Sequence, residues 1–177
     1  MVLSKRAVRW AVLLTFLACC LFIAWNVPYT QDDWAWGTQV GVERWLSSEL
    51  NNRYVGTFFV LVMTRSQLLK TLIMGGTMFL LPLLAAALVD RRDGKDRLPL
   101  AMLAGAALFS MPMVTWRQTF GWVSAFANYV LGGAAALVLL LLWRRVLREG
   151  RPRREGPVLA AALFPLSLAA QLFVEHL

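Results

Sequence analysis

Uncharged apolar runs of membrane-spanning length are the feature that most constrains this chain. The segment that follows Arg9 carries no charged residue as far as Val27. At about 1.5 Å per residue, a helix of this length crosses the hydrocarbon layer of a bilayer. Similar runs recur along the chain, and 59% of its 177 residues are hydrophobic, more than the roughly 45–50% of a soluble domain. The sequence therefore predicts an all-α, polytopic helical membrane protein.

The apolar runs predict about five transmembrane helices within one transmembrane domain that covers the whole chain. The first two predicted spans are separated by residues 28–70, a segment too polar to span, which we predict to be an outer loop. Apolar spacing around Trp45 is typical of a helix at the membrane interface. Residues 54–63 are apolar but too few to span, so they are expected to be interfacial or re-entrant. The predicted spans are 7–27, 72–89, 98–114, 129–143 and 157–174.

The basic residues predict the orientation of the chain. The net charge is +8, and Arg and Lys are concentrated in the N-terminus, in residues 91–97 and in residues 144–154. Because Arg and Lys favour the cytoplasmic side of membrane proteins, the N-terminus is predicted to be cytoplasmic and the C-terminus outside, in a bacterial inner membrane. Basic residues that lie between apolar spans indicate contact with membrane lipid and argue against nucleic-acid binding.

Two adjacent carboxylates, Asp32 and Asp33, follow the first predicted span. In one interpretation they lie in a solvated loop, where one of them caps the following helix. In the other, an aromatic cover desolvates a carboxylate, raises its pKa and makes it a general base at the membrane surface. The pair also offers hard oxygen ligands for a divalent cation, although no motif demands a cofactor and no metal site is predicted.

Further polar and aromatic residues share the predicted outer face. Six of the eight tryptophans and all three tyrosines lie there, which indicates either an uneven aromatic belt or rings that contact a sugar or a lipid headgroup. The arginines on this face either pair with lipid headgroups or clamp a phosphate in a bidentate way. The candidate substrate-binding residues are Trp34, Asn52, Arg53, Tyr54, Arg117 and Asn128.

Three short motifs follow one another on this face: Asp-Asp-Trp at 32–34, Asn-Asn-Arg-Tyr-x-Gly at 51–56, and Phe-Gly-Trp at 120–122 followed by Ala-Asn-Tyr at 127–129. Their order resembles the N-terminal part of bacterial membrane glycosyltransferases of the GT-C fold. The resemblance covers most of residues 5–177. It implies a polyprenyl-phosphate-linked sugar as donor, transfer on the outer face, and an aspartate of the first outer loop as base. On this chain the base would be Asp32 or Asp33, with Asp32 favoured, and Arg53 or Arg117 would lie near the donor phosphate.

The resemblance leaves two functions open. The leading hypothesis is a glycosyltransferase-like module. Because GT-C enzymes usually have more spans than this chain, the module would be a truncated enzyme, one piece of a split enzyme, or a relic that no longer catalyses. The alternative is a non-catalytic membrane subunit that binds a lipid-linked sugar or assists a larger membrane protein partner. A small transporter is disfavoured, because no predicted span carries a charged residue in its centre.

Overall fold

The computed structural model describes residues 4–47, 53–90, 96–148 and 156–173, and all regular secondary structure in these ranges is helical. The α-helices are α1 (Lys5–Asn26), α2 (Asp33–Trp36), α3 (Gln39–Leu46), α4 (Tyr54–Arg65), α5 (Gln67–Val89), α6 (Leu98–Phe109), α7 (Met113–Thr119), α8 (Val123–Ala125), α9 (Gly132–Arg148) and α10 (Gly156–Gln171). A π-helical segment, Phe126–Leu131, joins α8 to α9.

Three helical stretches in the described ranges are long and apolar enough to cross a membrane: Lys5–Asn26, Gln67–Val89 and Val123–Arg145. A fourth candidate arises if α6 and α7 count together as one broken span. These apolar helices indicate an integral membrane protein, and the all-helical prediction is confirmed. The fifth predicted span is not confirmed, because the described part of α10 has 16 residues, fewer than the roughly 20 that a span needs.

The predicted third span does not continue as one helix. Helix α6 ends at Phe109, and the chain turns by 98° before α7. Pro112 lies in the break and directly precedes α7. Proline disfavours helical geometry in the residue before it and donates no backbone hydrogen bond, so Pro112 accounts for the break between α6 and α7 within the predicted span 98–114.

Two other helices begin earlier than predicted. Helix α5 begins at Gln67, where the Ser66 hydroxyl caps it by accepting from the backbone N–H of Leu69. The helix that includes α9 begins at Val123, six residues before the predicted span 129–143. Polar residues in both first turns dilute the apolar pattern, and such termini are therefore hard to place from hydropathy.

Helices α1 and α5 form the central antiparallel pair, since Val27 meets Lys70 at one end and Phe16 meets Phe79 further along. Helix α5 also packs against α6 and α9. At the closest approach, a Cβ atom added to Gly75 would lie 2.9 Å from Leu21 Cα. A small residue is therefore required there for the two backbones to come together.

The loops gather at two ends of the bundle. The aspartate end comprises residues 27–47, 53–66 and 110–128, and these parts of the chain meet where Trp122 contacts Asp32. The basic end comprises the start of α1, the end of α5 and the end of α9. There a guanidinium nitrogen of Arg9 lies 3.7 Å from a carboxylate oxygen of Asp96. The Arg144 guanidinium donates to the carbonyls of Ala87 and Leu88. Helix α3 lies within the predicted outer loop, and its location at a membrane interface stays a prediction.

The approach of α1 to α5 makes a matched pair of substitutions informative. Gly75→Ala should destabilise the fold by about 1–3 kcal/mol, because the new methyl group overlaps Leu21. Gly76→Ala should be neutral or slightly stabilising, because a methyl group at that position would meet no atom within 4 Å outside the local helix. Thermal unfolding in detergent measures both, and equal unfolding temperatures for the two variants would contradict the packing.

Labelling tests the predicted orientation. In a background with Cys19→Ser and Cys20→Ala, Ser47→Cys at the aspartate end should react with an impermeant maleimide in intact cells. Lys5→Cys at the basic end should react only after permeabilisation. The reverse pattern would place the aspartate end in the cytoplasm.

Candidate functional site

Asp33 is a buried anchor between two distant parts of the chain. Its side chain is 1% exposed. One carboxylate oxygen accepts from the backbone N–H and the hydroxyl of Ser124, at 3.0 and 2.6 Å. The other accepts from the backbone N–H of Thr30 at 3.0 Å. Because Ser124 lies in the first turn of the helix that begins at Val123, Asp33 caps that helix from the first residue of α2, about ninety residues earlier in the sequence.

This arrangement corrects the interpretation of Asp33 as a loop carboxylate in solvent or as the cap of its own helix. Burial raises the pKa of the Asp33 carboxyl above its ordinary value, and the hydrogen bonds from Ser124 and Thr30 oppose that rise. Its hydrogen-bonding capacity is directed at backbone and side-chain donors within the fold. The position therefore favours a structural role over that of a base.

Asp32 lies in a different environment, although it is the adjacent residue. Its side chain is exposed. One oxygen accepts from the indole N–H of Trp36 at 3.1 Å, and the other accepts from the indole N–H of Trp122 at 3.1 Å. A carboxylate offers about four lone-pair positions, so Asp32 retains accepting capacity beyond these two bonds.

A cavity of about 230 Å³ opens beside Asp32 at the aspartate end; we call it the aspartate cavity. Arg53 lies on its wall, with the guanidinium carbon 5.5 Å from the centre of the Tyr129 ring. The cavity thus combines a carboxylate, a guanidinium and aromatic rings. Its walls are formed by Asp32, Trp36, Arg53, Thr57, Val60, Trp122, Ser124, Ala125, Asn128 and Tyr129.

Asn128 contributes an unsatisfied polar atom to this region. Its side chain is 7% exposed, and its amide nitrogen donates to the Ser124 carbonyl at 2.7 Å. Its amide oxygen is buried and has no hydrogen-bond partner among the described residues. Leaving such an acceptor unpaired costs about 1–3 kcal/mol. Asn128 lies in the π-helical segment, and such segments occur frequently at functional sites.

A glycine allows Asn128 to fit against α4. A Cβ atom added to Gly56 would overlap the Asn128 amide oxygen. Any larger residue at position 56 would displace the amide. The Asn-Asn-Arg-Tyr-x-Gly motif and the Ala-Asn-Tyr motif, which are far apart in sequence, therefore meet at this contact.

The structure brings only part of the predicted site together. Of the candidate residues, Asp32, Arg53 and Asn128 line the aspartate cavity. Four others do not line it: Asp33, Trp34, Tyr54 and Arg117. Asn52 lies outside the described residues.

The candidate residues that do not line the aspartate cavity make other contacts or line another site. Trp34 is 66% exposed and packs edge-on against Tyr29, with ring centres 5.8 Å apart. Tyr54 begins α4, and its carbonyl accepts from the Trp45 indole N–H at 3.1 Å. Arg117 lines a separate groove. Sequence order placed all of them on one face, but it does not determine which side chains point into one cavity.

Lys70 and Ser124 were not identified from the sequence. Lys70 is buried in the first turn of α5, where its ammonium group donates to the Val27 carbonyl and lies 4.6 Å from the centre of the Tyr29 ring. The sequence does contain a signal for Lys70, since it lies beside an apolar segment. Ionisable residues near membrane spans usually have a specific partner. Ser124 gave no comparable signal, since its importance depends on the contact with Asp33.

The described residues contain no group of three or more His, Cys, Asp or Glu side chains that could hold a metal ion. The two aspartates do not form a shared ligand pair in this fold, because the Asp33 oxygens bind Ser124 and Thr30. The geometry therefore gives the proposed divalent cation no defined site in this part of the chain.

Comparisons with protein-family models, curated proteins and solved structures found no significant match to this chain. The resemblance to GT-C glycosyltransferases thus stays a prediction. The fold itself supports the broader class, a helical integral membrane protein with a polar cavity at one end.

The different environments of the two aspartates predict different effects of substitution. Asp33→Ala should lower the free energy of unfolding by roughly 2–4 kcal/mol, because three donors lose their acceptor and the remote helix loses its cap. Asp32→Ala, the matched control, should cost about 1 kcal/mol or less, because Asp32 is exposed and accepts only two side-chain hydrogen bonds, neither of them fully buried. Denaturation in detergent compares the two, and equal losses would refute the anchoring role of Asp33.

Proposed function

We propose that this protein is a glycosyltransferase-like membrane module that binds a polyprenyl-phosphate-linked sugar at the aspartate end. The observation that carries the proposal is that Asp32 and Arg53 line one cavity. A base and a phosphate-binding cation are the two charged groups that such a transfer requires. The positive-inside pattern favours an aspartate end outside a bacterial inner membrane.

In the proposed reaction, Asp32 accepts the proton of an acceptor hydroxyl. The acceptor oxygen forms a bond to the anomeric carbon of the sugar, and the bond from that carbon to the phosphate oxygen breaks. The lipid phosphate leaves as an anion, whose charge Arg53 stabilises with its guanidinium. The proton, the sugar and the leaving group are thereby all accounted for without a metal ion.

The rest of the cavity suits a sugar. Its volume of about 230 Å³ is below the roughly 300–1,000 Å³ of pockets for drug-sized ligands, so it accommodates one sugar ring better than an entire lipid. Trp122 and Tyr129 offer aromatic surfaces on its walls. A sugar hydroxyl that reached the Asn128 amide oxygen would satisfy its missing hydrogen bond.

One observation favours the alternative function, a non-catalytic subunit that binds the same ligand. Both oxygens of Asp32 already accept indole N–H groups. These indole N–H groups compete with an acceptor hydroxyl for the same carboxylate oxygens. Such a subunit would present the lipid-linked sugar to a larger membrane protein partner.

Binding and transfer should be measured separately in proteoliposomes that contain the full chain. Arg53→Gln should weaken binding of a short-chain polyprenyl-phosphate sugar about tenfold, because a charge-assisted contact to phosphate is lost. Arg44→Gln is the matched control, since Arg44 is an exposed arginine at the same end that does not line the cavity. Equal affinity of the Arg53→Gln variant and the wild type would refute the phosphate contact.

Asp32→Asn should retain binding but lower transfer by a factor of about 10² or more, because an amide cannot accept the proton. Full transfer by this variant would refute Asp32 as the base. Binding by the wild type without transfer, in the presence of donor and acceptor, would support the non-catalytic subunit.

A further inference from the structure

A second concave site lies beside the aspartate cavity. It is a groove of about 580 Å³ between the end of α1 and the segment that contains α7. Phe22, Ile23, Val27 and Trp116 contribute apolar surface to its walls. We call it the α1–α7 groove. Its size and apolar walls suit a hydrocarbon chain.

Arg117 gives this groove a charge. Its side chain is exposed and lines the groove. No hydrogen bond or ion pair joins that side chain to the other described residues. No carboxylate lines the groove. An anionic group would therefore find a guanidinium that is not already neutralised and no negative charge on the same walls.

The position of the groove indicates the source of such a ligand. It lies at the end of α1, a helix with the length and composition of a membrane span. Trp25, which is exposed next to this end, is typical of the membrane–water interface. Helix α7 follows a 98° turn after α6, and Met113 and Val114 remain exposed on it. We expect an apolar wall beside the end of a membrane span to face acyl chains close to their headgroups.

We propose that the α1–α7 groove binds an anionic phospholipid of the bilayer, with the phosphate at Arg117 and an acyl chain along Phe22 and Ile23. Polar rim residues complete the fit, because Asn26, Thr30 and Gln31 also line the groove and offer hydrogen bonds to a glycerol headgroup. A bilayer lipid reaches this site by lateral diffusion. A phospholipid carries both the acyl chain and the phosphate that this groove would bind.

The groove is distinct from the proposed donor site. Trp122 is the one residue that lines both. Arg117 lines only the groove, and Arg53 lines only the aspartate cavity. A lipid in the groove would pack against the ring whose N–H binds Asp32. The proposal does not depend on the proposed glycosyl transfer.

Lipid titration of the purified full chain in a neutral detergent tests the proposal. Native mass spectrometry would measure binding of phosphatidylglycerol and phosphatidylcholine with identical acyl chains. The wild type should bind phosphatidylglycerol about tenfold more tightly than phosphatidylcholine. Arg117→Gln should abolish that preference, whereas Arg44→Gln and Arg53→Gln should retain it. Phe22→Ala should weaken binding of both lipids without changing their ratio.

Several results would overturn the proposal. They include a wild type without any preference for the anionic lipid and a preference that persists in Arg117→Gln. Equal loss in Arg44→Gln would mean that general positive charge attracts the lipid. Loss in Arg53→Gln would place the lipid in the aspartate cavity. If Arg117→Gln failed to fold, Arg117→Lys would replace it. Retention of the preference for phosphatidylglycerol in Arg117→Lys, together with weaker binding of both lipids by Phe22→Ala, would support the site.

Discussion

The contact between Asp33 and Ser124 is the interaction on which the rest of the candidate site depends. It joins the loop that follows α1 to the start of the helix that begins at Val123. Because Asp33 fixes α2 against that helix, the neighbouring Asp32 comes within reach of the Trp122 indole. The same helix positions Asn128 four residues further on. The buried Asp33 carboxylate thereby positions both Asp32 and Asn128 on the walls of the aspartate cavity.

Charged side chains also satisfy helix ends elsewhere in the bundle. Arg144 donates to the carbonyls of Ala87 and Leu88 at the C-terminus of α5, while Lys70 donates to the Val27 carbonyl just after α1. Helix termini carry backbone groups without intrahelical partners, and a bilayer offers little water to bind them. Long-range caps of this kind explain why several ionisable residues of a membrane protein are structural, and why charge alone does not mark the site.

Adjacent aspartates came to have separate roles for a geometric reason. Successive residues of a helix point about 100° apart, so a turn that buries Asp33 against Ser124 directs Asp32 towards the cavity. Arg53 and Arg117 also share one end of the bundle but line different concave sites, because they lie on different segments of the chain. If the lipid proposal holds, Trp122 is the wall through which the bilayer contacts the cavity.

The sequence by itself determined the helical membrane class, the first span and the polar character of the end that carries Asp32, because these depend on local hydropathy and charge. It also placed Arg53 and Asn128 among the candidates. Only the tertiary structure decided that Asp33 is an anchor and that Arg117 lies outside the cavity. Each of these outcomes depends on contacts between residues that are distant in sequence, or on the direction of a side chain. Neither distant contacts nor side-chain directions are encoded in the spacing of apolar residues along a single segment.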